Sequence, residues 1–542
     1  MQNRQKIALL SVYDKNGIEE FAKELVELGW KIVSSGGTAK YLQDAGISVT
    51  DVSEITGMGA ILGHRVATLH PKIHGGLLAL DTPEHLRELG KYQIPWIDMV
   101  CVDFYPLKEE ISKSSATCES VIEKTDIGGP TMARSGAKGK RIVICDSADR
   151  RRVINWLKSG EPEREKFIKE LSAKAEMVVS QYCASSLRYH GEGKYESIFG
   201  QKVLECMYGE NAYQKPASLY KNSDVDDQLS IDNWKQVGGS AMSYNNICDL
   251  DRMTQTMTHI GAGFEKNLDV VPYVALGVKH GNPCGAGISE NPKEAIEKML
   301  LGDLRAIFGG MVMLNFPVDE NIAEDLIHMH VEKNRRLLDM VAAPSFSEEA
   351  IDILSRKKGK CRLVANRAIE KAGLSSLDVT ERFRYVRGGF LKQPNYTFVP
   401  LFSEIPEAKT LSKDALADVV LAWAVGATSN SNTITLVKDG RIIGNGVGQQ
   451  DRVGAAKLAI FRAEESAQSA GEKKADLNNV TAYSDSFFPF PDAVETLIDS
   501  GVKVIFSTSG SVNDNLSIEL CKSKGVNLLL LPDSESRGFY QH

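Results

Sequence analysis

IALLSVYDKNGIEEFAKELVELGWKIVSSGGTAK, Ile7 to Lys40, decides the fold class of the first part of this chain. IALLSV has the length of a buried strand. Apolar positions then recur at helical spacing from about Gly17 to Leu28, KIVSS reads as a second strand, and SSGGTAK turns into a further helix. Working outward, the alternation continues through ISVTDV, MVCVDFYP and RIVICD to about residue 150. Strands that alternate with helices predict a parallel sheet covered by helices, and such sheets bind ligands beyond the carboxyl ends of their strands. The loops that follow these strands are where chemistry is expected.

At 542 residues the chain exceeds one core, and roughly one domain per 150 residues predicts about three or four structural units. Hydrophobic residues at 42%, charged residues at 25% and a net charge of -7 are ordinary for a globular protein. With no basic excess, neither nucleic acid nor an anionic membrane is expected as the main partner. The apolar run after MQNRQK is too short for a signal-peptide core, and no stretch reaches the ~18 apolar residues of a membrane span. The nine cysteines are scattered without a CxxC pair, which predicts reduced thiols in a cytoplasmic protein.

Residues 1–150 form the expected first domain, a charged helical linker is expected over 151–206, and residues 207–542 form a second domain of mixed pattern. In the second domain, ITLVKDGRIIGNGVG reads as a hairpin turning on Asp439-Gly440. A helix over Val453 to Ser466 follows, then the strand, loop and helix of VTAYSDSFFPFPDAVETLIDSG. YVALGVKHGNPCGAG, followed by a helix near Lys293 to Leu301, has a similar order, which suggests two related subdomains.

VKHGNPCGAG, Val278 to Gly287, sets Lys279 beside His280 at the end of an apolar strand. Neighbours on an extended strand point to opposite faces, so the pair can serve one substrate only if the chain bends there, as the Gly, Asn and Pro cluster permits. In the first domain, free N–H groups and hydroxyls of SSGGTAK can cradle a phosphate; a capped glycine-rich turn is the plainer alternative. GHRVATLHPKIHGG adds Arg65, Thr68, His70, Lys72 and His74, but no cysteine or carboxylate cluster completes a zinc site. Tyr105 in DFYP and Asp126, Gly128, Gly129 and Lys138 in TDIGGPTMARSGAKGK supply a phenol, an acid and an ammonium in or near loops. Singly, each reads as a solvated residue; together, around a phosphate turn, they suggest proton transfer on a small phosphorylated substrate. No GxxxxGK[ST] loop is present, and GNGVGQQ ends a hairpin instead of opening a helix. The HxE patterns at His190–Glu192 and His330–Glu332 lack the PCxxC of zinc deaminases.

SSGGTAKYL, RVATLHPKIHGG, TDIGG, YGENAYQKPASLY, SYNNICDLD, KHGNPCG, FGGMV, GNGVGQQDRV and SDSFFPFPDAVE occur in order along the chain, from SVYDKNG to RGFYQH. In these the sequence resembles the bifunctional purine-biosynthesis family that joins phosphoribosylaminoimidazolecarboxamide (AICAR) formyltransferase to inosine monophosphate (IMP) cyclohydrolase. The resemblance implies an α/β protein: a methylglyoxal-synthase-like parallel-sheet domain, then a transformylase domain of two cytidine-deaminase-like subdomains without zinc. It implies formyl transfer from 10-formyltetrahydrofolate to AICAR, giving FAICAR, and dehydrative closure of FAICAR to IMP. For the first step it implies His280 as base, Lys279 beside it and Asn432 as catalytic groups. Tyr208, Gly309, Gly310, Asp339, Arg452, Phe490, Asp492 and Arg537 would hold nucleotide or folate. For the second step it implies Tyr105, Asp126 and Lys138 as catalytic groups, with Ser11, Lys15, Ser35, Gly36, Gly37, Thr38, Arg65 and Thr68 on the substrate. It further implies a homodimer and leaves room for a structural monovalent cation such as potassium.

Two departures bear on the sites, the first on ring closure and the second on the loop that anchors the nucleotide. Ala67-Thr68 stands where the family usually has Lys-Thr, and Met207 and Tyr213 stand at an arginine and a histidine of the usual motif. Loss of an arginine removes both charge and donors. The rival reading is therefore a transformylase whose first domain is degenerate or senses nucleotide.

Overall fold

The computed structural model of the protein describes residues 4–222, 226–331 and 334–540; Glu332 of the second HxE pattern lies outside them. The chain divides into two compact units, Met1–Phe199 and Gly200–His542.

In the first unit β1 (Ile7–Ser11), β2 (Lys31–Ser34), β3 (Val49–Asp51), β4 (Met99–Val102) and β5 (Ile142–Ile144) form one parallel sheet of order β3-β2-β1-β4-β5. Successive side chains serve opposite faces. Leu10, Ile32, Met99 and Ile142 pack with Phe21, Leu25 and Trp156, while Leu9, Val33, Val100 and Val143 pack with Ile73, Leu77 and Met132. Burial on both faces explains why these strands read as continuous apolar runs. The helix Arg164–Gly191 adds Phe167 and Leu171 to one of these cores and Ala175 and Val179 to the other. Its apolar residues thus belong to the first unit, so within the stretch expected as a linker over 151–206 this helix packs on that core, while Gln201–Cys206 lies in the second unit.

The second unit carries two separate hairpins, β6 (Gln201–Cys206) with β7 (Ala217–Lys221) and β14 (Glu381–Val386) with β15 (Gly389–Pro394). Its centre is an eleven-stranded sheet. The members in chain order are β8 (Lys235–Gly238), β9 (Tyr273–Lys279), β10 (Asn282–Ser289), β11 (Met311–Leu314), β12 (Met340–Ala343), β13 (Arg362–Ala365), β16 (Ile434–Lys438), β17 (Arg441–Gly446), β18 (Val480–Ser484), β19 (Val502–Ser509) and β20 (Asn527–Pro532). Their order is β20-β19-β18-β16-β17-β10-β9-β11-β12-β13-β8.

That order contains a repeat. β9 pairs antiparallel with β10 and β11, and β11, β12 and β13 run parallel. β16 pairs antiparallel with β17 and β18, and β18, β19 and β20 run parallel. The halves meet where β10 lies against β17 at Gly287↔Arg441. Each half begins with a helix, Tyr244–Leu268 or Lys413–Gly426, and these two helices cover one face of the sheet in a common core with Leu276, Val278, Val437 and Tyr483. On the other face each half has its own core, around Val312 and Met299 or around Ile434 and Ala459. The mixed sheet and the repeated hairpin are what position the loops of the second unit.

Candidate active sites

In the first unit the carboxyl ends of β1, β2 and β4 bring three loops together. After β2, Ser35 precedes the helix Gly36–Asp44 without capping it, so the first N–H groups of that helix carry no side-chain partner. Gly36 has φ +54°, and a Cβ on Gly36 or Gly37 would meet nothing within 4 Å. The Ser35 hydroxyl lies 3.4 Å from that of Ser11 at the end of β1. Such a turn, with unpaired N–H groups, a helix N-terminus and two hydroxyls, suits an anion. Thr38 is buried differently from the expectation: its hydroxyl accepts from the Val12 N–H at 3.1 Å and donates to the Val12 carbonyl at 2.9 Å. Only its backbone is free to face the turn. Lys15 Nζ donates to the carbonyls of Val12 and Tyr13, and burial pulls its pKa down against the nearby Asp103 and Asp14.

Asp126 starts the turn into the helix Gly128–Lys138. Its carboxylate accepts the Gly129 N–H at 3.0 Å, and the nearby N–H groups of Tyr105 and Gly128 also favour its ionised form. Burial nevertheless pushes its pKa up. A Cβ on Gly129 would lie 2.7 Å from Asp126 Oδ2 and 2.7 Å from the Phe104 ring, so only glycine lets the carboxylate sit there. The Tyr105 phenol, its pKa raised by burial and by Asp126, packs edge-on to Tyr13 at 5.7 Å. The Lys124 ammonium stands 5.6 Å from the Tyr13 ring and 5.9 Å from the Tyr105 ring. Arg65 is paired with Glu123, and Thr68 is buried beside Gly128. Tyr105, Asp126 and Thr68 are thus together. Lys138 is not with them: it is the exposed last residue of a helix of 11 residues, about 15 Å along the axis from Gly128.

Sequence reading passed over Tyr182. From the helix Arg164–Gly191 its hydroxyl accepts the Asp126 N–H at 2.7 Å and donates to the Lys124 carbonyl at 2.9 Å, while its ring packs on Phe104 at 5.1 Å. No motif marks it; the only signal is a polar aromatic on a helix that the apolar pattern should have docked on the sheet. The histidines of GHRVATLHPKIHGG serve the backbone and a neighbour. His70 caps its helix by accepting the Lys72 N–H, and His74 Nδ1 lies 3.0 Å from Ser135 Oγ. Among the described residues no group of three His, Cys, Asp or Glu could hold a metal ion.

In the second unit His280 and Gly281 form the whole turn between β9 and β10, with φ of +53° and +72°. Two positive φ values in a two-residue hairpin loop give the bend that the Lys-His reading required. Lys279 Nζ donates to the Phe308 carbonyl at 2.8 Å, next to Gly309 at φ +73°. The Asp339 N–H donates to the Gly310 carbonyl, and its carboxylate takes Arg356 at 3.2 Å. From the other half, Asn432 donates from Nδ2 to the Gln449 carbonyl at 2.9 Å and exchanges backbone hydrogen bonds with Gln449. Arg252 links the halves: it packs beside Gly281, and its Nη2 donates to Thr428 O at 3.1 Å and Asn430 Oδ1 at 3.0 Å.

Arg452 is held by the fully buried Asp485 and by the Phe487 carbonyl. Phe490 is 61% exposed and Asp492 exposed, at the mouth of the same loop. Arg537 pairs with Asp533 at 2.5 Å and lies 5.8 Å from the Phe487 ring. The structure therefore gathers Arg452, Phe487, Asp485 and Arg537 in one loop region. Tyr208 lies elsewhere in the unit, where its carbonyl accepts the Tyr244 N–H at the start of the helix Tyr244–Leu268. Met207, beside it, donates its N–H to the Met242 carbonyl.

Residues 138–462 match the family model described as AICARFT/IMPCHase bienzyme, and residues 17–131 that of the MGS-like domain. The bifunctional purine biosynthesis protein PurH of Bacillus cereus (strain B4264) is 37% identical over 97% of this chain and 98% of its own. PurH of Bacillus thuringiensis (strain Al Hakam) is 36% identical over the same shares. The crystal structure of ForH is 33% identical and covers 35% of this chain and 100% of that one, at a TM-score of 0.32. A family model spanning more than half of the chain, and relatives of this identity from end to end, agree with the parallel-sheet unit, the mixed-sheet unit and the loops just described: the chain belongs to the AICARFT/IMPCHase bienzyme family of bifunctional purine biosynthesis proteins.

Proposed function

We propose that this protein catalyses formyl transfer from 10-formyltetrahydrofolate to AICAR in its C-terminal unit and closure of FAICAR to IMP in its N-terminal unit. The observation that carries the reading is the His280–Gly281 turn, which lifts a histidine out of the sheet beside Lys279. In formyl transfer the 5-amino nitrogen attacks the formyl carbon and the bond from that carbon to the folate nitrogen breaks. The amine proton goes to His280, and a proton returns to the leaving nitrogen. Lys279 stabilises the oxyanion of the tetrahedral intermediate. Asn432, Arg452, Phe490, Asp492 and Arg537 hold folate or nucleotide, and Tyr208, Gly309, Gly310 and Asp339 hold the ribotide.

In ring closure the carboxamide nitrogen attacks the formyl carbon, and the formyl oxygen leaves as water with one proton from each nitrogen. Because the reaction is intramolecular, holding the two ends in line supplies much of the acceleration. Ser11, Ser35, Gly36, Gly37 and the Thr38 backbone hold the phosphate, with Lys15, Arg65 and Thr68 around it. Asp126 takes the carboxamide proton and Tyr105 orients the ring. Lys138 is too far along its helix to share that proton with Asp126 inside one unit; Lys124 is the ammonium beside Tyr105. Removing the Tyr182 hydroxyl in Tyr182→Phe is expected to slow ring closure about tenfold, within the ~100-fold that a misplaced group costs, with formyl transfer unchanged. Single-turnover assays of each half-reaction check this.

A homodimer and a cytoplasmic location belong to the same proposal. The first is supported by the apolar side chains of Tyr385 and Leu391, 80% and 59% exposed on the hairpin β14–β15. The second is supported by nine free cysteines. No helix among the described residues is long and apolar enough to cross a membrane. A monovalent cation has one observation in its favour, the buried Asp485 Oδ2 that has no hydrogen-bond partner. Ala67, which leaves that loop position without a charge, favours the second reading of a transformylase with a non-catalytic first unit. Incubation with AICAR and 10-formyltetrahydrofolate tests the main reading: IMP is expected, and FAICAR accumulating alone contradicts it.

A further inference from the structure

The two repeats of the C-terminal unit carry the same turn in the same place. His280–Gly281 joins β9 to β10 with φ of +53° and +72°; Asp439–Gly440 joins β16 to β17 with +53° and +73°. In each repeat the sixth residue of the leading helix is an aspartate, Asp249 in Tyr244–Leu268 and Asp418 in Lys413–Gly426. Asp418 accepts the N–H groups of Asp439 at 3.0 Å and Gly440 at 2.7 Å. Asp249 lies under the first turn in the same way: a Cβ on Gly281 would lie 3.7 Å from its Oδ1, and the Gly281 N–H favours its ionised form. One device, an aspartate under a tight hairpin turn, thus occurs twice.

What differs is the residue at the tip. In the second repeat it is Asp439, whose charge opposes that of Asp418 and pushes its pKa further up. In the first, burial pushes the Asp249 pKa up, and the charge of His280 works against that by favouring the ionised form. Both repeats place an aspartate under the turn, so the acid belongs to the shared fold. Only in the first is the tip residue a histidine, whose charged form that acid can favour.

We propose that Asp249 is a positioning residue for formyl transfer, lying under the His280–Gly281 turn and keeping a carboxylate near the imidazole. The inference rests on His280 as the base. When His280 takes the amine proton it becomes an imidazolium, and an adjacent carboxylate lowers the energy of that state. The proton stays on His280 until it passes to the leaving folate nitrogen; Asp249 remains ionised throughout. The groups that face Asp249 are Arg252 and Cys248 from its own helix and His280 and Gly281 from the turn. Arg252, which also packs beside Gly281, reaches on to Thr428 and Asn430 in the loop that carries Asn432.

Asp249→Asn keeps the shape of the side chain under the turn and removes the charge. Its kcat for formyl transfer is expected to fall about tenfold, a share of the ~10²–10⁴ that general base catalysis supplies, with KM little changed. The acid limb of its pH profile is expected at lower pH, because the imidazolium has lost its counter-charge. Asp418→Asn, the equivalent change in the other repeat, is expected to leave kcat and that limb in place, and Asp249→Glu to retain the limb. Titration of the His280 ring by NMR in the full-length protein, assigned with His280→Asn, reads the same shift without turnover. A wild-type protein without formyl transfer would contradict the function, whereas the ring titration would still decide the pairing. An unmoved ring titration in Asp249→Asn, or equal kcat losses in Asp249→Asn and Asp418→Asn, overturns the inference.

Discussion

His280→Ala is expected to slow formyl transfer by about 10²–10⁴-fold, the range that a general base contributes, and to leave ring closure of FAICAR at the wild-type rate. The 5-amino group of AICAR is conjugated with its ring and attacks poorly unless its proton is removed as the bond forms. No other described histidine lies in the β9–β10 turn. Alanine at φ +53° adds backbone strain, so His280→Asn is the better-matched variant, because asparagine tolerates that region. Both substitutions should give the same loss. The two half-reactions are measured separately, with AICAR and folate or with FAICAR alone. Equal loss of both in a folded variant would contradict the assignment of the two reactions to two compact units.

Asp126→Asn is expected to slow ring closure by about 10²-fold or more while formyl transfer persists. Burial raises the Asp126 pKa, so its base form is lost as pH falls through a value above the ordinary carboxylate range. The acid limb of wild-type ring closure should therefore lie above that range and be absent from the Asn variant. The stability consequence has the opposite sign. A carboxyl whose folded pKa is raised stabilises the fold while protonated, and that contribution is lost as pH rises through the folded pKa. At neutral pH Asp126→Asn should be at least as stable as wild type, read as its thermal midpoint, though much less active. A variant that is both inactive and strongly destabilised would mark Asp126 as structural.

Most of the framework is legible in the sequence because it rests on local pattern. Continuous apolar runs such as IALLSV and MVCV are buried on both faces of the parallel sheet, and Asp439-Gly440 has the chemistry that its turn demands. His280 and its bend were readable from the glycine beside it. What escaped the sequence depends on distance along the chain. Tyr182 touches Lys124 and Asp126 from a helix more than fifty residues on, 58 and 56 residues away, and only the docking of that helix reveals it. Asp249 is one of several acids in a helix until the second repeat supplies Asp418 for comparison. Thr38 and Lys138 are less direct: the Thr38 hydroxyl is engaged with the Val12 backbone, and a helix of 11 residues carries Lys138 away from Asp126 within the unit.

The measurement that bears most directly on a two-reaction protein is the rate of IMP formation from FAICAR alone, without folate, by the full-length protein. Formation well above the uncatalysed rate is expected, lost in Asp126→Asn and retained in His280→Asn. No IMP from a preparation that still makes FAICAR from AICAR would contradict the account and leave a transformylase whose first unit, with Ala67 in its loop, binds without catalysing.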